Sequence, residues 1–272
     1  MKYSLIVSDF DNTLANSERK VSAFTQNAIS EYQKAGGKFM ICTGRMFPSA
    51  REEAKLLGLS GDVICYNGAM IGDIESGKVS HSAFIKKEVA LRIISEFENR
   101  NDVVVQLYFD DKIFVKRDNP YTREYCKECN LPFYETKISL FDFLSGQDKD
   151  IIEVLVMAEP KKVLELYQEY LQKGSKDYTV ITSEAHFLEF ISPLANKGIA
   201  LRAYCEQNGI KPECVACFGD NYNDIFMIEY AGLGVAVENG VDELKKKADL
   251  VCPSNDDDGV AKIIEKITKG EI

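Results

Sequence analysis

Asp9 and Asp11 stand two residues apart at the end of an apolar run, in Asp9-Phe10-Asp11-Asn12-Thr13. Along an extended segment, residues i and i+2 turn their side chains to the same side. Two carboxylates that close repel one another unless a cation lies between them or one keeps a proton. Three more polar clusters follow apolar strands: Thr43-Gly44-Arg45, Asn196-Lys197-Gly198, and Gly219-Asp220-Asn221-Tyr222-Asn223-Asp224. Asp220 and Asp224 add hard oxygen donors. An all-oxygen set with few carboxylates suits Mg²⁺, which keeps several waters and pairs with substrate phosphate. Lys197 at a helix start, the hydroxyls of Thr13 and Thr43, and nearby backbone N–H groups are suited to neutralising phosphate oxygens.

A carboxylate in such surroundings can attack phosphorus and form an aspartyl-phosphate. A second carboxylate can protonate the leaving alcohol and later deprotonate water. Asp9 as nucleophile and Asp11 as acid/base is the natural division, although spacing alone also allows the reverse. Hydrolysis of a small phosphomonoester, a phosphorylated metabolite, is the chemistry this set would do. A sugar phosphomutase or phosphotransferase would use the same intermediate. A non-enzymatic phospho-acceptor domain would also use acidic residues, Thr and Lys, but an acid/base beside the acceptor favours turnover over a lasting phosphoryl group.

These clusters need a scaffold that brings distant loops together. Tyr3–Ser8, Lys38–Cys42 and Asp62–Tyr66 read as short buried strands. They alternate with a helix capped by Ser22 and another beginning near Pro48. That alternation predicts a parallel sheet covered on both faces. Beyond residue 83, strand pairs joined by tight turns predict an antiparallel α+β unit. The first pattern resumes after Pro193, with a helix from Lys197 and strands at Val215–Phe218 and Leu233–Val237. The expected fold is therefore a three-layer Rossmann-like α/β core, residues 1–82 and 190–272, interrupted by an α+β cap domain, residues 83–189. Ligands of open parallel sheets bind outside the carboxyl ends of the strands, where all four clusters lie. Cap closure would exclude water from the site.

The 272 residues are 45% hydrophobic and 28% charged, which is a globular composition. The net charge of −10 is unfavourable for nucleic acid or an anionic membrane, since phosphate backbones need a basic footprint. No apolar run is long enough to span a bilayer. The first residues do not read as a signal peptide, and the eight cysteines point to a reducing compartment, so a cytoplasmic location is expected. The pairs Cys126/Cys129 and Cys214/Cys217 have the spacing of zinc ligands. They fall in different expected domains and are better read as buried small side chains. Two histidines leave little material for a Ser/His/Asp triad, and no Walker-type phosphate loop occurs.

The ordered motifs DFDNTL, TGR, a Lys opening a late helix, and GDNYND resemble those of the haloacid dehalogenase superfamily. The long insertion between the second and third is similar to its Cof-type sugar-phosphate phosphatase branch, as are ICYNGAMI and NGVDELKKKADLVCPSNDDDGVAKII. The resemblance implies Asp9 as nucleophile and Mg²⁺ ligand, and Asp11 as acid/base with its carbonyl on the metal. It implies Thr43 with Gly44, and Lys197, around the phosphoryl group, and Asp220 completing the metal site. Asn223 and Asp224 would orient phosphate, metal waters or Lys197, with Asp224 a further candidate ligand. Arg45 and Asn67 would lie near the substrate. Asn12 departs from the family's usual Gly; Asn tolerates left-handed backbone, so the turn is expected to survive.

Overall fold

The run Leu5–Ser8 forms strand β1, buried at every residue as a strand covered on both faces must be. The computed structural model describes residues 2–272, apart from the side chain of Glu128. The next elements are α1 (Ala23–Lys34), β2 (Lys38–Ile41), α2 (Phe47–Leu56), β3 (Asp62–Cys65), β4 (Met70–Asp73) and β5 (Val79–Ser82). Then come α3 (Lys87–Phe97), β6 (Val104–Phe109), β7 (Lys112–Val115), α4 (Pro120–Glu128), β8 (Phe133–Glu135), α5 (Leu140–Ser145), β9 (Glu153–Met157), α6 (Pro160–Lys173), β10 (Thr179–Ile181) and β11 (Phe187–Ile191). The last are α7 (Lys197–Asn208), β12 (Val215–Gly219), α8 (Ile225–Tyr230), β13 (Leu233–Val237), α9 (Asp242–Lys247), β14 (Leu250–Cys252) and α10 (Gly259–Lys269).

These elements form two compact units, Met1–Ser82 with Asn196–Ile272, and Ala83–Ala195. The first holds a five-stranded sheet in the order β14-β13-β12-β1-β2, with every neighbouring pair parallel. The chain moves outward from β1 on one side and from β12 on the other. The switch point therefore lies between β1 and β12, whose carboxyl ends lead into Asp9 and Asp220. Leu5, Val7, Met40, Val215 and Cys217 from the sheet pack with Leu201, Tyr204 and Met227 in one apolar core. Ser22 accepts from Thr25 N–H at 3.0 Å and starts α1 as expected.

The inserted unit is a six-stranded sheet, β10-β11-β9-β6-β7-β8, antiparallel except for the parallel β7–β8 pair. One face meets Val89, Ile93 and Phe97 of α3 and Val163 and Leu166 of α6 over a core that includes Leu107, Val154, Leu188 and Phe190. Alternation puts Gln106, Tyr108, Glu153 and Glu189 on the other face, all of them buried.

The structure differs from expectation in two places. β3 joins β2 only through the single bridge Cys42–Ile64 and instead heads an antiparallel trio, β3-β4-β5. The turn at Tyr66–Gly68 reverses the chain, so β4 pairs antiparallel with β3. The expected division at 189/190 falls inside β11, which pairs with β9 along its whole length, so the strand stays with its sheet and the units part after Ala195.

Candidate active site

At the switch point Asp9 N–H donates to Phe218 carbonyl at 2.9 Å, tying the end of β1 to β12. Phe10–Leu14 then forms one wide, irregular turn in which Asn12 takes φ 59° and ψ 5°. Asn there meets the need for left-handed backbone that the family meets with Gly. Asn239 Nδ2 donates to Asn12 carbonyl at 2.8 Å and Asn255 Nδ2 to Ala15 carbonyl at 3.0 Å. Asn255 N–H in turn donates to Asn239 Oδ1 at 3.0 Å, so the turn is latched at both ends.

Lys197 opens α7, whose cap Asn196 accepts from the Gly198 and Ile199 N–H groups at 2.8 and 3.1 Å. Its Nζ is buried and donates to Asp9 Oδ1 at 2.6 Å and Asp224 Oδ1 at 2.7 Å. Asp224 Oδ2 accepts from the Asp220 and Asn221 N–H groups, both at 3.0 Å. Gly219 is required beneath it, because a Cβ there would lie 2.6 Å from Asp224 Cγ. Asp220 Oδ1 accepts from the Thr13 hydroxyl at 2.9 Å. The Thr13 hydroxyl, expected to face phosphate, is thus a partner of a carboxylate.

The electrostatics follow from three buried or half-buried carboxylates sharing one ammonium. Burial raises the Asp9 carboxyl well above the usual range, and Asp224 and Asp220 add to the rise against the opposing pull of Lys197. Asp220 is pushed up to about 6, by burial first and then by Asp224. Burial alone would lower the Lys197 ammonium, but Asp224 and Asp9 outweigh it and hold it charged. The set has an excess of negative charge. Asp9, Asp220 and Asp224 each offer an oxygen within 4.8 Å of the others. Such hard donors fit Mg²⁺. Most of the acceptor capacity of Asp224 is already taken by Lys197 and two N–H groups, which suits it to anchoring them.

Arg45 Nε donates to Asp11 Oδ2 at 2.8 Å and Nη2 to Oδ1 at 2.7 Å, a bidentate clasp, while Nη1 donates to Glu53 Oε1 at 2.9 Å. Arg45 was expected beside the substrate or paired with a neighbouring carboxylate; in the structure Asp11 and Glu53 engage it. Burial disfavours its charge, but Asp11 and Glu53 outweigh that effect and keep the guanidinium protonated. Thr43 is buried, and its Oγ1 accepts from Arg45 N–H at 3.1 Å, which leaves its own proton to donate. Asn67 sits at φ 53°, accepts at Oδ1 from Asn223 Nδ2 at 2.9 Å, and has its amide 3.0 Å from where a Gly44 Cβ would stand. Asn223 Oδ1 is buried with no protein partner. The next residue, Gly68, has φ 92° and abuts Asn196, whose carbonyl oxygen would be 2.3 Å from a Cβ there.

The structure thus brings Asp9, Lys197, Asp220 and Asp224 into one hydrogen-bonded group, with Thr43, Gly44, Asn67 and Asn223 in a second and Asp11 with Arg45 in a third. Sequence reasoning missed Glu53, which sits on α2 without a motif. It also missed Asn239 and Asn255, whose only signal was their presence in the quoted C-terminal segments. Cys126/Cys129 and Cys214/Cys217 belong to different units, and all four are thiols rather than disulfide sulfurs. Among the described residues no helix is long and apolar enough to cross a membrane.

A parallel sheet with an aspartate-rich switch point and a large insertion is a Rossmann-like α/β architecture with an inserted domain. Residues 6–264 match the haloacid dehalogenase-like hydrolases, and the chain belongs to that family, in agreement with the Cof-type resemblance of its motifs. Phosphatase YwpJ of Bacillus subtilis is 30% identical, with 97% of this chain and 99% of that protein covered. The 5-amino-6-(5-phospho-D-ribitylamino)uracil phosphatase YitU of Bacillus subtilis is 27% identical, with 96% of each covered. The crystal structure of a haloacid dehalogenase-like hydrolase from Bacteroides thetaiotaomicron superposes with a TM-score of 0.88 at 28% identity, covering 98% of this chain and all of that one. The protein is an enzyme, a phosphatase of this family.

Proposed function

We propose that the protein is a Mg²⁺-dependent phosphatase of small phosphomonoesters, sugar phosphates foremost, acting through an aspartyl-phosphate on Asp9. The observation that carries this reading is the buried Lys197 Nζ, held at 2.6 Å from Asp9 and 2.7 Å from Asp224 beside the half-buried Asp220. Asp9, Asp220 and the backbone carbonyl of Asp11 would hold Mg²⁺, with Asp224 anchoring Lys197 and the Asp220 loop. When bound, the ion neutralises phosphate charge and the repulsion between Asp9 and Asp220.

In this reading Asp9 attacks phosphorus in line with the ester oxygen. The ester P–O bond breaks, and Asp11 gives its proton to the departing alkoxide. Lys197 and the Thr43 hydroxyl neutralise the phosphoryl oxygens throughout. Asp11 then takes a proton from water as that water attacks phosphorus, which releases phosphate and restores Asp9. Asn223, held by Asn67 and open at Oδ1, is placed to order a water or a phosphate donor. The name of YitU, a phosphatase acting on a phosphorylated ribityl chain, supports a small polyol or sugar ester. The acidic balance of the chain supports a metabolite over nucleic acid, and its cysteines support a cytoplasmic setting. The test is phosphate release from a panel of sugar phosphates and nucleotides, with Mg²⁺ or EDTA, for the wild type and Asp9→Asn. Metal-dependent release lost in the variant is expected. Release that survives in Asp9→Asn would overturn the assignment, and phosphate passed to a sugar hydroxyl would favour the mutase.

A further inference from the structure

We propose that Glu53 is a positioning residue for phosphoryl transfer, fixing the Arg45 fork that in turn fixes the Asp11 carboxyl. The proposal rests on Asp11 being the acid/base of the reading above. Asp11 lies on the irregular turn with extended φ and ψ of −75° and 131°, and its side chain is 40% exposed. Among the described residues Arg45 grips that carboxyl through both oxygens. Arg45 is itself held at three points. Its Nε and Nη2 face Asp11, its Nη1 faces Glu53, and its Cζ lies 4.4 Å from the centroid of the ring of Phe10, the residue between the two aspartates. The Phe10 ring supplies a cation–π contact, which sets no hydrogen-bond direction. Glu53, on α2 and eight residues beyond Arg45, adds a directional contact from outside the turn. Glu53 touches Arg45 and not Asp11 itself, so its contribution is the direction of the fork. Misplacement of a reacting group by about 1 Å can cost on the order of a hundredfold in rate.

The test is kcat/KM on two substrates, the best hexose phosphate of the panel and p-nitrophenyl phosphate. This quantity covers the steps up to aspartyl-phosphate formation, so the later hydrolysis does not enter. The sugar alkoxide needs a proton as it leaves, whereas p-nitrophenolate leaves without one. Glu53→Ala is expected to lower kcat/KM roughly tenfold on the sugar phosphate and to stay within about twofold on the aryl ester. Glu53→Gln, whose amide oxygen can still accept from Arg45, is expected to recover most of the loss. Glu53→Asp, charged but too short, is expected to behave as Glu53→Ala. Equal losses on both substrates, no loss, or a Glu53→Asp that is normal beside a Glu53→Gln that is not, would each overturn the proposal. Asp11→Asn separates the two claims. If it fails to discriminate between the substrates, the acid role of Asp11 is wrong. If it discriminates while Glu53→Ala matches the wild type, only the positioning role is wrong.

Discussion

Lys197 and Asp9 are separated by 188 residues and joined by a 2.6 Å hydrogen bond between Nζ and Oδ1. The bond spans the interruption of the core by the inserted unit, since Asp9 precedes that unit and Lys197 follows it. Its second partner, Asp224, puts the Lys197 ammonium between two buried carboxylates, so removing it exposes both to repulsion.

Replacing Lys197 with Met should therefore cost stability as well as activity. Breaking a buried ion pair by removing one partner costs about 3–5 kcal/mol. Denaturant unfolding should show a loss of that size near pH 8, shrinking toward pH 5 as the freed carboxylates take up protons. A variant as stable as wild type at both pH values would contradict the arrangement.

In the proposed site Thr13 would act on Mg²⁺ through Asp220, to which its hydroxyl donates at 2.9 Å. Partners of metal ligands typically change metal affinity by about 10–100-fold when lost. Thr13→Val should raise the Mg²⁺ concentration for half-maximal activity roughly tenfold, with kcat at saturating Mg²⁺ within about twofold. An unchanged Mg²⁺ titration would remove Thr13 from this role.

Asn12, at φ 59°, pays little for the left-handed backbone, and Gly would pay less. Asn12→Gly should be within about 0.5 kcal/mol of wild type, whereas Asn12→Ala should be about 1 kcal/mol less stable. Comparable thermal midpoints for Gly and Ala variants would show that the turn does not need this conformation.

Glu189 in the inserted unit is buried and its carboxyl is pushed up to about 7 from an ordinary 4.5, chiefly by burial. The folded chain then keeps a proton that the unfolded chain has lost. Stability falls as pH rises from 4.5 to 7 and levels off above, by about 1.4 kcal/mol per unit and on the order of 3 kcal/mol in all. Glu189→Gln, whose amide oxygen can still accept from Ser183 N–H, should match wild type near pH 4.5 and exceed it near pH 8. A variant less stable than wild type at pH 8 would contradict this.

Where a residue type dictates a backbone feature, the fold was legible before the coordinates. Ser22 caps α1, and β13 has the expected bounds. The trio β3-β4-β5 was not, because Val79–Ser82 is largely exposed and carries no buried-strand pattern. Asp9, Lys197 and Asp220 were legible because parallel sheets gather strand ends at one edge. The clasp of Arg45 on Asp11 and Glu53 was not, since it depends on which way three side chains turn. Asp224 shows the same limit: its type suggested a ligand, and only its hydrogen bonds to Lys197 and the Asp220 loop show an anchor.

The central claim is that Asp9 carries the phosphoryl group. The direct measurement is rapid acid quench of a single turnover with Mg²⁺ and p-nitrophenyl phosphate, whose leaving group needs no proton from Asp11, followed by peptide mapping by mass spectrometry, in wild type and in Asp11→Asn, which should slow hydrolysis of the intermediate. The expected result is a phosphoryl adduct on Asp9 that is transient in wild type and accumulates in Asp11→Asn. A phosphoryl group on another residue, or turnover with no adduct in either protein, would contradict it.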